Sequence, residues 1–362
     1  MRLHLNIINS RLNLKGLVRK QRLAENGSAD LKKDEELGER KIIEIIQSRL
    51  NLMPKMPVPF GDDVSACNIE RGNLAVLKTD MLVDKTDMPP SMSLRQAARK
   101  AVVMNVSDFA AKGVKPTAML VSLGLPRNLT RKDIEQIGDG LNEGAREYGA
   151  YVIGGDTGES SDLVISISLF GLAKKNALML RSGARPGDLV AVTGSFGKTA
   201  AGLRILLHDL KASVDVRNKL VESVLVPKAK VKEGLALSRT KAVTASIDSS
   251  DGLAWSLHEI ARSSKVGFLI DTVPSSREVE EFAKMNKLDL IELTFYGGEE
   301  YELVVTLKPR FLGKARKTVE QFGGELLPIG KTTADEQVRL RIRGKTRIIE
   351  PRGYEHFRSD KA

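Results

Sequence analysis

The sequence predicts a mixed α/β (α+β) protein of two domains, an N-terminal mixed sheet with helices followed by a C-terminal α/β domain. Three observations carry this reading. Strand and helix patterns interleave along the chain, 362 residues with 41% hydrophobic content can fill more than one core, and the first series of elements ends at a polar break near Lys174-Lys175-Asn176. The division therefore falls near residue 172, giving domains over about 34–172 and 173–362 behind a basic leader, residues 1–33.

Each element has a local reason. Leu37, Ile42, Ile45, Ile46 and Leu50 mark one face of a helix that Pro54, Pro57 and Pro59 close. Residues 73–79 read as a strand delivering Asp80 at its end. After Pro89-Pro90, Ser93 caps a helix whose buried face is Leu94, Ala97, Ala98, Ala101, Val102 and Val106. Residues 118–125 form the next strand. Thr130 then caps a helix with Ile134, Ile137, Leu141, Ala145 and Tyr148 on one face, at spacings of three and four. Residues 151–153 and 163–170 predict two strands flanking a polar loop. In the second half, residues 189–193 lead through a Gly-rich turn into a helix over 199–208. Residues 242–247, 268–270 and 301–307 are strands, and Leu253, Leu257, Ile260 and Ala261 line a further helix.

Composition narrows the class. A single cysteine, Cys67, rules out an internal disulfide and suits a reducing compartment, and four histidines beside it argue against structural zinc. No apolar run approaches the ~20 residues of a membrane span, and the N-terminus lacks the apolar core of a signal peptide. The expectation is a soluble, cytoplasmic protein. Its net charge of +11 is uneven: residues 1–33 carry eight Lys or Arg against Glu25 and Asp30, a net of +6, which leaves +5 for the remainder. The leader reads as a loosely ordered extension, or as an RNA- or membrane-binding arm.

The chemistry lies in six short acidic patches, most beside a Gly or Ser: Gly61-Asp62-Asp63, Thr79-Asp80, Ser107-Asp108, Gly154-Gly155-Asp156-Thr157, Asp248-Ser249-Ser250-Asp251-Gly252 and Gly297-Gly298-Glu299-Glu300-Tyr301-Glu302. Carboxylates are hard ligands for magnesium, and flexible backbone lets N–H groups approach phosphate. Singly, most also read as turns. Gly154–Thr157 fits a hairpin turn as well as a phosphate loop, and Asp251 fits a helix cap. Asp108 stands out, because it interrupts a small, apolar stretch where a charge needs a partner, either a metal or Lys100 or Lys112. Gly194-Ser195-Phe196-Gly197-Lys198-Thr199 is two residues too short for a P-loop and reads as a strand-to-helix turn with an exposed lysine.

As an ordered set, the segments GDDVSA (61–66), KTDMLVDKTDMP (78–89), RKAVVMNVSDFAAKGVKP (99–116), IGGDT (153–157), RSGARPGD (181–188), SIDSSDGL (246–253), YGGEEYEL (296–303) and RGYEHF (352–357) resemble the thiamine-monophosphate kinases. These are members of the ATP-binding superfamily typified by aminoimidazole ribonucleotide synthetase, and the resemblance covers roughly residues 34–357. It implies that superfamily's two-domain fold, and phosphorylation of thiamine monophosphate by ATP to give thiamine diphosphate. It also implies several Mg²⁺ ions held by Asp63, Thr79, Asp80, Asp108, Asp156 and Asp248, with a further one on Asp251. Gly155, Asp156, Arg181 and Ser250 would contact ATP, while Asp87, Glu299 and Tyr354 would face thiamine monophosphate. A homodimer formed through the N-terminal sheets is implied as well. Two positions depart from the pattern: Lys78 stands where many members have a metal-holding Ser or Thr, and Asp87 where several have His.

Rival readings remain within and outside that superfamily. Selenophosphate synthetases use a reactive Cys or Sec near an N-terminal Gly-rich loop, which this chain lacks, and hydrogenase-maturation carbamoyl dehydratases end in cysteine where this chain ends in Ala362. Aminoimidazole ribonucleotide synthetase itself fits the GGEEYEL and RGYEHF segments less well. A nucleic-acid or membrane binder acting through the leader is the reading from another class, and deletion of residues 1–33 separates it from an enzyme.

Overall fold

The computed structural model describes residues 38–51 and 53–357, so the basic leader lies outside the described residues. One unit holds α1 (Glu39–Gln47) together with residues 355–357, joined by the Glu39 N–H to the His356 carbonyl. The periodicity predicts α1 correctly, but none of its residues is buried, and Ile43, Ile45 and Ile46 are exposed.

The other unit runs from residue 52 to Tyr354 and contains two sheets. Its first half comprises β1 (Ser65–Asn68), β2 (Asn73–Val83), α2 (Asp84–Asp87), α3 (Leu94–Lys112), β3 (Lys115–Leu125), α4 (Arg131–Glu147), β4 (Tyr151–Glu159) and β5 (Val164–Lys174). The strands form one sheet in the order β1-β2-β5-β3-β4. Only β3 and β4 pair in parallel, with α4 as their crossover. Helix α3 begins with a capping box in which Ser93 and Gln96 satisfy each other's backbone N–H groups, and it stops at Gly113 in the left-handed region. It packs closely on α4: a Cβ on Gly140 would lie 2.1 Å from the Arg95 carbonyl oxygen.

Two strands run further than their sequence suggests. β2 continues through Val83, so Asp80 sits within the strand and not at its end. β4 absorbs the whole Gly154–Thr157 segment that reads as a loop. Glycine has little strand preference of its own, but here the backbones approach closely: a Cβ on Gly155 would lie 1.9 Å from the Val121 carbonyl oxygen. Tertiary pairing overrides the local preference.

The second half comprises β6 (Leu189–Val192), α5 (Lys198–His208), α6 (Val214–Leu225), α7 (Val231–Thr240), β7 (Val243–Asp248), α8 (Leu253–Ser264), β8 (Gly267–Ile270), α9 (Arg277–Asn286), α10 (Leu290–Tyr296), β9 (Leu303–Leu307), α11 (Leu312–Glu320), β10 (Leu327–Thr333), β11 (Val338–Ile342) and β12 (Lys345–Ile348). Its sheet has the order β12-β11-β8-β10-β6-β9-β7. The change of sheet falls between Lys174 and Leu189, around the break seen in the sequence. The apolar core does not divide there, since one buried cluster extends from Val58 through α3 to Leu326.

Helix α3 is the shared wall. It packs on its own sheet and also on α7 and β7 of the second half. Val102, Val103, Val106 and Phe109 are fully buried, each contributing about 1.5–3 kcal/mol. That burial carries Lys100, Asp108 and Lys112 inside with them, which is tolerable because each has a charged partner.

Candidate active site

Where α3 meets the end of β7, Asp63, Asp108 and Asp248 each present a carboxylate oxygen within 4.8 Å of the others, and all three are buried. Asp63 comes from the loop before β1, Asp108 from the last turns of α3 and Asp248 from the last residue of β7. The Ser107 hydroxyl donates to Asp248 Oδ2 at 2.7 Å and fixes its rotamer. Lys78 and Asp80 extend from β2 toward the same side: the Lys78 ammonium lies 2.9 Å from Asp108 and 3.9 Å from Asp80.

The electrostatics of the three carboxylates differ. Burial and the Asp63 charge push Asp248 up to about 6. Burial also raises Asp108 well above the usual range, with Lys78 opposing and Asp248, Asp63 and Asp80 adding to the rise. Asp63 is held below its ordinary value, because Lys112 and Arg181 outweigh the cost of its burial. This is an oxygen-only set with unbalanced negative charge, which fits a hard divalent cation and not zinc or copper.

Sequence reasoning offers Lys100 or Lys112 as the alternative to a metal beside Asp108; the lysine found there is Lys78. Lys112, fully buried, instead bridges Asp62 and Asp63 at 2.7 Å each and donates to the Ser246 carbonyl. Lys100 binds the Glu299 carboxylate at 2.6 Å and the Asp87 carbonyl at 2.8 Å. Arg181 is likewise occupied by protein groups. It pairs with Asp63, donates to the Gly61 carbonyl at 2.8 Å and reaches Glu259 at 3.5 Å. Burial opposes its charge, but Asp63 and Glu259 raise its pKa further.

A second set of predicted residues gathers beside the first. The Glu299 N–H donates to the Ser250 carbonyl, Tyr301 N–H to the Ser249 carbonyl and Tyr354 N–H to the Asp251 carbonyl. The loop carrying Ser250 and Asp251 is thus zipped to Glu299 and Tyr354. Glu299 and Tyr301 sit in the left-handed region, at φ +63° and +53°, backbone that ordinary side chains adopt at a cost and that functional loops often retain. Tyr301 is buried, and its phenol is raised well above normal by that burial and by the surrounding carboxylates.

Four predicted residues stand apart. Thr79 alternates with Lys78 and Asp80, so its hydroxyl projects from the opposite, exposed face of the sheet, toward Ser168 at 3.4 Å. Gly155 and Asp156 lie on the exposed edge strand β4, separated from β2 by β5 and β3, roughly 14 Å across the sheet. In register, Asp156 faces Ser122 and shares the outward face with Thr79. Asp87 spends its carboxylate within the fold, accepting from the Val83 N–H at 2.7 Å and the Thr86 hydroxyl at 3.2 Å.

The short Gly-rich turn at 194–199 is already filled. Glu300 accepts from Gly197 N–H at 2.7 Å and Thr199 N–H at 3.0 Å, so a protein carboxyl group occupies the N-terminus of α5. Cys67 is exposed on β1, away from these groups. Sequence reasoning names Lys100, Lys112 and Ser107 but not the partners they take here, and it assigns Tyr301 no role of its own. The signal for the lysines was present, since both interrupt the apolar run of α3, but their partners lie far away in the chain.

The chain matches the family model for the N-terminal domain of AIR synthase related proteins over residues 61–173 and that for their C-terminal domain over 185–343. A thiamine-monophosphate kinase from Nitrosopumilus maritimus is 38% identical over 322 residues, covering 89% of this chain and 99% of the relative. One from Pyrococcus horikoshii is 37% identical over 301 residues, covering 83% and 91%. Among solved structures, AaThiL complexed with AMPPCP and TMP superposes with a TM-score of 0.77 at 29% identity, covering 91% of this chain and all of that one. With likeness of this extent across both halves, the chain belongs to the thiamine-monophosphate kinase family, within the AIR synthase related proteins.

Proposed function

We propose that this protein transfers the terminal phosphoryl group of ATP to the phosphate of thiamine monophosphate, in line, giving thiamine diphosphate and ADP as the last step in making that cofactor. The observation that carries the reading is the convergence of buried Asp63, Asp108 and Asp248 beside the loop that presents Glu299 and Tyr354. The names of the relatives, and the nucleotide analogue and TMP in the superposed complex, favour this activity over others of the fold.

The attacking atom is a phosphate oxygen already ionised at neutral pH, so no general base is needed. The difficulty is bringing two polyanions together, since unit charges 4 Å apart repel by about 4 kcal/mol even at an effective dielectric of 20. Asp63, Asp108 and Asp248, with Asp80 beside them, would hold Mg²⁺, and Asp251 would hold a further ion that enters with the nucleotide. Bound Mg²⁺ supplies charge neutralisation and a template for in-line displacement. The chain's own residues do the rest by positioning. Lys112 and Arg181 fix Asp63, Ser107 fixes Asp248, and Lys100 holds Glu299, whose carboxylate suits the cationic thiazolium. Ser250 would approach ATP and the Tyr354 ring would offer an aromatic surface to the heterocycles.

Thr79 and Asp156 fit this scheme as groups of the outward sheet face, with Gly155 next to Asp156 on the exposed edge strand β4. Leu77, Met81, Leu120, Ile153 and Leu172 are exposed there, an apolar surface of the kind that pairs copies of a chain. We therefore read the protein as a homodimer through this sheet, with Gly155 and Asp156 acting near the interface. No helix among the described residues is long and apolar enough to cross a membrane, and a cytoplasmic site of action is part of the proposal. Incubation with ATP, Mg²⁺ and thiamine monophosphate, with products separated by chromatography, tests the reading; it fails if no thiamine diphosphate forms.

A further inference from the structure

Five carboxylates, those of Asp62, Asp63, Asp80, Asp108 and Asp248, meet three fixed cations at this centre: Lys78, Lys112 and Arg181. Lys112 and Arg181 lie on the side of Asp62 and Asp63, and both are anchored by backbone carbonyls as well, those of Ser246 and Gly61. Lys78 differs. Its ammonium sits between Asp108, at 2.9 Å, and Asp80, at 3.9 Å, and among the described residues no backbone carbonyl accepts from it. It reaches the cluster from the middle of β2, from the same face as Asp80, with its side chain about one-fifth exposed. An ammonium in that position does what a cation bridging two carboxylates would do.

We propose that Lys78 is a resident cation of the metal centre, occupying the position between Asp80 and Asp108 and limiting the nucleotide-free centre to one divalent ion, held by Asp63, Asp108 and Asp248. The proposal rests on the reading of this cluster as a metal site. Charge supports it: Glu259, which also reaches Arg181, is offset by Arg262, so the five carboxylates against three cations leave two negative charges, which one divalent ion balances. Removing Lys78 frees a carboxylate pair for a second ion. Removing the charge while keeping the bulk strengthens the first ion's site, because a neighbouring positive charge no longer repels it.

The test is Mn²⁺ binding to the full-length, nucleotide-free protein, followed by electron paramagnetic resonance at pH 8. The parent is expected to bind one Mn²⁺ with the spectrum of an isolated ion. Lys78→Ser and Lys78→Ala should each bind two, giving a spin-coupled pair. Lys78→Met should bind one ion at least ~10-fold more tightly, and Lys78→Arg should match the parent. Circular dichroism establishes that each variant is folded, and the Met and Arg variants keep the test decisive if the smaller residues destabilise β2. A coupled pair in the parent, or variants that all keep its stoichiometry and affinity, overturns the role of Lys78 and leaves the metal site standing. Failure of every protein to bind Mn²⁺ at millimolar concentration overturns the metal reading and the proposal together.

Discussion

The Ser107 hydroxyl donates to Asp248 Oδ2 at 2.7 Å, linking positions 141 residues apart and tying α3 of the first half to the end of β7 in the second. The bond aims Asp248 at Asp108 and Asp63. A hydrogen bond to a charged group is worth about 1.5–3 kcal/mol, so Ser107→Ala should weaken Mn²⁺ binding by roughly tenfold or more. Isothermal titration at pH 8 measures this, and an unchanged affinity would show that Asp248 is held by other groups.

Asp108→Asn keeps the shape of the side chain and removes its charge. Turnover should fall by about a hundredfold to a thousandfold, the usual cost of losing one preorganised electrostatic group. The melting temperature should stay within a few degrees of the parent, since the loss of the Lys78 pair is offset by relief of the repulsion from Asp248, Asp63 and Asp80 and by the easier burial of a neutral amide. A fully active variant would remove Asp108 from the metal centre.

How much of this was legible in the sequence depended on distance along the chain. The cap of α3 was readable, because Ser93 and Gln96 are three residues apart and the signal is local. Asp108 was readable as a charge needing a partner, but the partner was not, because Lys78 arrives from a strand thirty positions earlier. The Gly154–Thr157 segment reads as a loop from glycine's weak strand preference, and only its pairing with β3 makes it a strand. Nor can motif spacing tell that Lys78 and Asp80 face α3 while Thr79 and Asp156 face outward, since a sheet's faces are set by register.

Metal affinity should depend on pH with a definite sign. Asp248 titrates at about 6 and Asp108 is raised well above normal, so a cation must displace protons from them. Mn²⁺ affinity should therefore fall as pH drops from 8 toward 5, by about tenfold per pH unit for each proton displaced. Titrations in buffers of different ionisation enthalpy detect the released protons. Affinity that is flat from pH 8 to pH 5 would contradict this.

Arg181 ties the loop of Gly61 and Asp63 to Glu259 on α8. Arg181→Met leaves a buried Asp63 with Lys112 alone, and breaking such a pair costs about 3–5 kcal/mol. The melting temperature should drop by roughly 4–8 °C. A variant that melts like the parent but has a raised KM for ATP would instead make Arg181 a phosphate contact.

Burial pushes Glu300 up to about 8 from its ordinary 4.5. The folded protein therefore holds this proton where the unfolded chain has released it, and stability is lost as pH rises from about 4.5 to 8. Glu300→Gln keeps an oxygen acceptor for Gly197 and Thr199 and cannot ionise. It should match the parent near pH 4 and melt a few degrees higher above pH 8. Parallel pH–Tm curves for the two proteins would contradict the assignment.

The central claim concerns the reaction itself, and its most direct measurement is ³¹P nuclear magnetic resonance of the protein with ATP, Mg²⁺ and thiamine monophosphate. Paired resonances of thiamine diphosphate should grow as ADP appears in equal amount. ADP accompanied only by inorganic phosphate, or no change across a range of temperature and pH, would contradict that claim.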